Sequence, residues 1–394
     1  VSENRPEWLI ADVAIMAAGA ATVPAYVTNT VEDHLHVLED SGAKGAVVST
    51  RRLAERFLPA AHIAPALEFV IAIESLPGGD HPGIGLHHWP DLLEPAGDGS
   101  GEAAERARRW RRGDLACIIY TSGTGGVPKG VMLSHGAILH NCAGAKEAIR
   151  DLGLDDEVFL CFLPLSHSYE HTAGQFFPVS IGAQIYYAEG IDKLSTNMGE
   201  AHPTIMTAVP RLYETMHGRI LKGVQRAGGL KERLFMAALE LGRQRHLEPE
   251  GLGLAGRLAD AVLDRLVRDK VRARFGGSLK AMVSGGAPLN PDIGLFFTAL
   301  GLNILQGYGQ TESAPVISVN RPGRVKIDTV GPPLAGVEVR IAEDGEILVR
   351  GELVMLGYWG NPEASGETVR NGWLHTGDIG LVDGDGYLKI TDRK

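Results

Sequence analysis

Apolar positions change their period several times along the chain, and each change marks an element. Pro6 stands at a first helical turn and apolar residues follow at helical spacing to Ala18. The run Ala21 to Tyr26 then reads as a strand, and residues 34–41 as a helix. Gly45-Ala46-Val47-Val48-Ser49 and Phe69-Val70-Ile71-Ala72-Ile73 are short, buried strands. This alternation predicts mostly parallel sheets covered by helices on both faces. Residues 77–101, rich in Gly, Pro and Asp, read as surface loop, and residues 102–112 as a solvated helix or linker. A buried strand, Ala116-Cys117-Ile118-Ile119-Tyr120, feeds a glycine-rich turn, and an apolar-periodic segment runs from Val131 to Ala143. Residues 230–275 have the spacing of two helices joined around residues 249–256.

Beyond Asn320 the period falls to two. Val337-Glu338-Val339-Arg340-Ile341 and Glu346-Ile347-Leu348-Val349-Arg350 flank Asp344-Gly345, a hairpin pattern. The predicted fold class is therefore α/β. Two intertwined, doubly wound, mostly parallel βα subdomains occupy residues 1–325, and a small antiparallel, β-barrel-like subdomain occupies residues 326–394.

Composition narrows the function classes. The 394 residues carry a formal net charge of −10, which argues against a nucleic-acid partner. Anionic ligands must then be held by local groups. The three cysteines, Cys117, Cys142 and Cys161, read as reduced buried thiols of a cytoplasmic protein. The run Leu9 to Tyr26 contains Asp12 and Pro24, so it reads as a buried element and not as a membrane span. The chain opens at Val1 without a Met and stops at Lys394 in a polar turn, so a fragment at both ends is expected.

The chemistry concentrates in Thr121-Ser122-Gly123-Thr124-Gly125-Gly126-Val127-Pro128-Lys129-Gly130. Glycines let backbone N–H groups converge on an oxyanion, and hydroxyls and an ammonium add donors. The string is not a Walker A loop, because it lacks the second Gly and the Ser/Thr after the lysine. It resembles the phosphate loop of the adenylate-forming superfamily, which includes acyl-CoA synthetases and peptide-synthetase adenylation domains. Gly125 departs from that family's usual Thr.

Further motifs carry the same resemblance in order. Gln306-Gly307-Tyr308-Gly309-Gln310-Thr311-Glu312 is similar to the family's adenine and magnesium motif, and Ser284-Gly285-Gly286-Ala287-Pro288 to its purine-binding turn. Thr376-Gly377-Asp378 and Asp392-Arg393-Lys394 resemble its ribose-binding Asp and its hinge. The resemblance implies an acetyl-CoA synthetase-like fold. It also implies that Thr121, Ser122, Gly123, Thr124, Gly126 and Lys129 hold phosphate, that Gly285 to Pro288 and Gln306 to Gly309 hold adenine, and that Asp378 and Arg393 hold ribose. Thr311 would reach the α-phosphate or acyl oxygen, and Thr121 and Glu312 would hold Mg²⁺. Lys129, His167, Thr311 and Glu312 are then the catalytic candidates, and His167 and His171 line the acyl pocket.

The segment Asn371 to Gly380, running on to Ile390, and Ala208-Val209-Pro210-Arg211 are most similar to the long-chain fatty acid–CoA ligase branch. The implied reaction joins a long-chain fatty acid to AMP from ATP, releases pyrophosphate, and passes the acyl group to coenzyme A. A small C-terminal domain beyond residue 394 would assist the first step with a lysine, so the piece itself is expected to bind nucleotide and catalyse weakly. A fatty-acid substrate is compatible with peripheral association on the inner face of a membrane, and a homodimer stays open. One alternative is a fatty acyl-AMP ligase or another acyl- or aryl-acid adenylating enzyme. A remoter one is a zinc hydrolase, because His167-Ser168-Tyr169-Glu170-His171 spells H-x-x-E-H.

Overall fold

The computed structural model describes residues 1–76, 83–93, 100–121, 126–248 and 251–394. Helix α1 (Pro6–Ala17) begins on its proline as the sequence predicts. The expected strand over residues 21–26 is absent. That segment is irregular apart from a single bridge between Thr22 and Cys117, and Pro24 can donate nothing to a ladder. Helix α2 (Val31–Ser41) is held at both ends: Thr30 and Asp33 form a reciprocal capping box, and Gly42 closes it at φ +64°.

Strand β1 (Gly45–Val48), helix α3 (Arg51–Ala61), and strands β2 (Phe69–Ala72) and β3 (Gly85–His88) build a three-stranded parallel sheet. Helix α4 (Trp89–Leu92) follows at once, so part of the loop expected over residues 77–101 is ordered. Helix α5 (Ser100–Arg109) is the solvated helix the charge pattern predicts.

Strands β4 (Leu115–Thr121) and β5 (Lys129–Ser134) pair antiparallel, with Thr121 opposite Lys129. The glycine-rich segment is therefore the connection of a hairpin. The apolar run from Val131 splits between β5 and helix α6 (His135–Ala148), whose start is capped by the Ser134 hydroxyl accepting from the Ala137 amide. His135 is structural here, its ring packed at a tilt of 47° against Trp110 with centroids 5.0 Å apart.

The largest sheet follows. Strands β6 (Val158–Cys161) and β7 (Gln184–Tyr187) lie at one edge, with α7 (Phe177–Ile181) between them in sequence. After α8 (Leu194–Ala201), β8 (Ile205–Ala208) returns to the other side of β6. Helices α9 (Pro210–Ala227), α10 (Gly229–Leu247), α11 (Leu254–Leu263) and α12 (Asp269–Arg274) form a layer anchored by the fully buried Arg268. Its guanidinium donates to Asp260 and to the Ala238 and Ala299 carbonyls. Strand β9 (Ala281–Ser284), helix α13 (Pro291–Ala299) and strands β10 (Ile304–Gly309) and β11 (Val316–Val319) complete the order β11-β10-β9-β8-β6-β7. Only β10 and β11 pair antiparallel.

The predicted hairpin is β12 (Glu338–Ile341) against β13 (Glu346–Arg350). Strand β14 (Gly357–Tyr358) leaves this region to pair with β5, and α14 (Pro362–Thr368) follows it. Strands β15 (Val369–Arg370), β16 (Trp373–Val382) and β17 (Leu388–Arg393) rejoin β12 and β13 in an antiparallel sheet. All three cysteines are free and buried.

Candidate active site

Strand order reverses between β6 and β8, where the two strands share only the Phe159–Ile205 pair. Ligands of open α/β sheets lie at such a switch point, outside the carboxyl ends of the strands. A cleft of about 1360 Å³ opens there. His167 and Ser168 follow β6, Thr207 lies on β8, Gly285 to Pro288 follow β9, and Gln306 to Glu312 span the end of β10. All of them line the cleft, as do Thr121, Lys129, Tyr358, Asp378 and Arg393. Ile149, Phe159, Phe177, Ile205, Val316 and Val319 give the same cleft an apolar wall. Phe159 and Ile205 stand at the starts of their strands, so the cavity runs along the sheet for roughly 10 Å beyond the polar mouth.

In a Walker-type site the loop opens directly into a helix, whose N-terminus faces the anion. Here Thr121 and Lys129 pair across the β4–β5 hairpin, so the segment between them leads into a strand and not into a helix. Ser122, Gly123, Thr124 and Gly125 lie outside the described residues. Gly126 stands exposed at φ +88°, a conformation that favours glycine. Lys129 Nζ sits 5.0 Å from the centroid of the Tyr358 ring, and the Tyr358 hydroxyl donates to Glu312 Oε1 at 2.9 Å. One ring thus links the loop cation to the carboxylate. Burial, then the nearby Glu312 charge, push the Tyr358 phenol above its ordinary range and keep it a donor.

The β9 and β10 turns are shaped by close backbone packing. A Cβ on Gly309 would lie 1.7 Å from the Pro315 carbonyl oxygen, so only glycine lets β10 pass β11 there. Gly286 takes φ +80°. Thr311 shares a hydrogen bond of 2.9 Å with Ser168, joining the end of β10 to the end of β6. Gln306 lines the cleft, and its Oε1 is buried without a hydrogen-bond partner among the described residues.

Two motifs far apart in sequence meet through Tyr308, whose hydroxyl donates to Asp378 Oδ2 at 2.6 Å. Thr376 orients the Asp378 amide, and Arg393 Nε stands 3.8 Å from Asp378 Oδ1. Nearby, Glu346 accepts from His375, the Gly377 amide and Lys394. Burial opposes its charge, yet those donors hold its carboxyl below the usual range.

The histidines separate. His167 lines the cleft, and its Nδ1 accepts from the Tyr169 amide at 3.1 Å, so the neutral ring carries its proton on Nε2. Burial lowers its pKa and favours that neutral form. His171 does not line the cleft. It is fully buried against Trp8 and Phe176, with Nε2 3.1 Å from Asp12 of α1. The acyl-pocket placement of His171 is corrected accordingly: residues 170–176 coil as a π-helix that turns it away from the cavity. Glu170 accepts from the Thr207 hydroxyl and is also fully buried. The H-x-x-E-H residues therefore face three different partners. Among the described residues, no group of three or more His, Cys, Asp or Glu side chains could hold a metal ion, and the zinc reading has no ligand set.

Sequence reasoning missed Ser168, Tyr358 and Thr376. Ser168 and Thr376 lie inside strings already singled out. Tyr358 sits in Leu356-Gly357-Tyr358-Trp359, which carries no pattern that announces a contact with Glu312.

The sequence matches the AMP-binding enzyme family over residues 1–359. The long-chain-fatty-acid–CoA ligase FadD15 of Mycobacterium bovis is 38% identical over 398 residues, covering 100% of this chain and 64% of that protein. The peroxisomal long chain acyl-CoA synthetase 6 of Arabidopsis thaliana is 34% identical, over 99% of this chain and 57% of its own. The chain thus spans less than two thirds of the length of either. Among solved structures, the anthranilate CoA ligase AuaEII in complex with anthranoyl-AMP shares the fold at a TM-score of 0.70 and 21% identity, over 100% of this chain and 67% of that one. The N-terminal domain of FACL13 from Mycobacterium tuberculosis does so at 0.67 and 20% identity, over 99% of this chain and 84% of that one. The family match, running through residues 121–130, the β10 motif and Tyr358, makes this chain a member of the AMP-binding enzyme family.

Proposed function

We propose that the protein activates a long-chain fatty acid with ATP and passes the acyl group to coenzyme A. The observation that carries this reading is one cleft lined both by charged groups, Lys129, Glu312 and Asp378, and by apolar side chains, Ile149, Phe159 and Phe177. An amphipathic acid and a nucleotide both find complementary surface in it. The names of the mycobacterial and plant relatives point to the same substrate class.

In this reading the phosphate loop and Lys129 bear on the triphosphate, and Asp378 and Arg393 hold the ribose hydroxyls. Gly285 to Pro288 and Gln306 to Gly309 enclose the adenine, and the unpaired Gln306 oxygen takes a base N–H. The acid oxygen attacks the α-phosphorus; that O–P bond forms as the bond to pyrophosphate breaks. His167 Nε2–H and the Thr311 hydroxyl orient the carboxyl group. The CoA sulfur then bonds to the acyl carbon, AMP leaves, and the thiol proton is released. The donor set fits Mg²⁺, which takes one or two carboxylates and completes its shell with phosphate oxygens and water. Glu312 would be that carboxylate, and the Thr121 hydroxyl, which lines the same cleft, would add an oxygen. Bound there, the ion would neutralise charge developing on the phosphates.

We also place the protein in the cytoplasm, peripheral to the membrane's inner face. Leu254, Leu258, Val262 and Leu266 recur every fourth residue and are 82%, 71%, 56% and 48% exposed. Residues 210–275 hold 14 Lys and Arg against 8 Asp and Glu, in a chain of net charge −10. An apolar stripe in a cationic region suits an anionic lipid surface. Among the described residues no helix is long and apolar enough to cross a membrane.

Thioester formation tests the proposal. The full-length protein with ATP, a C16 acid and CoA should yield acyl-CoA. Accumulation of acyl-adenylate without thioester would replace CoA by another acceptor.

A further inference from the structure

Residues 36 and 40 of α2 each reach one stem of the phosphate loop. His36 Nε2 lies 3.1 Å from the Pro128 carbonyl oxygen, immediately before Lys129. A carbonyl only accepts, so Nε2 carries the proton and donates. One helical turn on, Asp40 Oδ2 accepts from the Tyr120 hydroxyl at 2.6 Å, immediately before Thr121. The two α2 residues are four apart and share a helix face. Between them Val37 is buried against Ile118 and Tyr120, and the His36 and Tyr120 rings meet edge to face at 5.8 Å.

A third contact comes from the opposite side. The Asp40 carbonyl accepts from Trp359 Nε1 at 2.9 Å, while the Trp359 amide donates to the Gly130 carbonyl at 2.7 Å. Tyr120 at the entry to the loop, Pro128 at its exit and Trp359, next to β14, all lean on one turn of α2. That helix is itself closed by a capping box and a left-handed glycine.

We infer that α2 is the strut that positions the phosphate loop, with His36 and Asp40 as positioning residues for nucleotide binding. The pairing of Thr121 with Lys129 already closes the hairpin, so the strut is not needed to form it. What α2 adds is direction. It fixes how the two stems, and with them Thr121 and the Lys129 side chain, present themselves to the cleft. Preorganised donors of this kind lose effect when the shell supporting them loosens. Neither side chain reaches the cleft lining, so neither is a catalytic residue.

The inference rests on the nucleotide reading of the cleft, and the test separates the two. Equilibrium binding of ATP and of a C16 acid is measured on full-length wild type, His36→Ala, His36→Gln, Asp40→Ala and Asp40→Asn, with thermal midpoints alongside. Gln keeps an N–H donor for the Pro128 carbonyl, and Asn keeps an acceptor for Tyr120. The expected result is an ATP Kd raised about tenfold in His36→Ala, with less than about twofold change for the acid, and recovery in His36→Gln to within about threefold of wild type. Asp40→Ala should weaken ATP binding in the same direction, and Asp40→Asn should bind as wild type does. An unchanged ATP Kd in His36→Ala, an equal loss for both ligands, or a Gln variant as weak as Ala would overturn the strut. Wild-type protein that binds no ATP would overturn the nucleotide reading, and the strut with it.

Discussion

The Tyr358 hydroxyl donates to Glu312 across 46 positions of sequence, and the same ring carries Lys129 on its face. The group proposed to hold the cation and the group proposed to meet the phosphates therefore share one support. Tyr358→Phe removes the hydrogen bond and keeps the ring. It should lower acid-dependent pyrophosphate exchange roughly tenfold, the scale of one hydrogen bond to a charged group, and raise the Mg²⁺ concentration needed for half-maximal rate. Tyr358→Leu removes the ring as well and should cost more. Equal rates in Tyr358→Phe and wild type would show that Glu312 is oriented without it.

Asp378 is held by the Tyr308 hydroxyl and the Arg393 guanidinium, so its oxygens are aimed before ligand arrives. Removing a charged hydrogen-bond acceptor costs about 1.5–3 kcal/mol, or roughly 10- to 150-fold. Asp378→Ala should weaken AMP binding by that factor and leave acid binding unchanged, as read by calorimetry. Tyr308→Phe should produce a smaller loss in the same direction. A loss of acid affinity equal to that for AMP would remove Asp378 from the ribose.

Glu170 gives the fold a dependence on pH. Burial pushes its carboxyl from the ordinary 4.5 up to about 7, against the opposing hydrogen bond from Thr207. As pH rises, the unfolded chain releases this proton first, so the native state binds the extra proton between those values. Stability therefore falls as pH climbs from about 4.5 to 7, by on the order of 3 kcal/mol, and levels off above. Glu170→Gln keeps an acceptor for Thr207 and removes the titration. Urea midpoints of the variant and wild type should diverge across this window, the wild type losing more. Parallel pH profiles would contradict the assignment.

The leucine stripe of α11 makes a separate prediction. Burying one leucine in an apolar phase is worth about 1.5–3 kcal/mol, so Leu254→Ser with Leu258→Ser should reduce partitioning onto vesicles at least tenfold. Vesicles containing phosphatidylglycerol should bind wild type better than neutral ones, and salt should weaken that preference. Sedimentation unchanged by either variation would remove this face from the membrane.

Much of this site is legible in the sequence because it rests on backbone. Gly285, Gly307 and Gly309 mark places where chains approach closely, and Gly286 a positive φ; such places tolerate little else. Local periodicity likewise predicts α2, β1, β2 and the β12–β13 hairpin, because each is decided within a dozen residues. What stays hidden depends on tertiary partners. The Val131 to Ala143 run breaks into strand and helix because β4 and β14 claim its first half. Pro24 withdraws residues 21–26 from a ladder their neighbours would have suited. His171 keeps the spacing of a zinc ligand, yet the π-helix at residues 170–176 turns it to Asp12. Tyr358 and His36 act through contacts 46 and 92 positions away, which no local pattern announces.

The central claim is that this cleft joins a long-chain acid to AMP. Acid-dependent exchange of pyrophosphate into ATP by the full-length protein, run with acids from C2 to C20 and repeated with Lys129→Ala and Glu312→Ala, tests it most directly. The account predicts exchange that rises with chain length to a long-chain optimum and falls at least 100-fold in either variant, since electrostatic stabilisation of this kind is worth several kcal/mol. Exchange with no preference for long acids, or undiminished in Lys129→Ala, would contradict it.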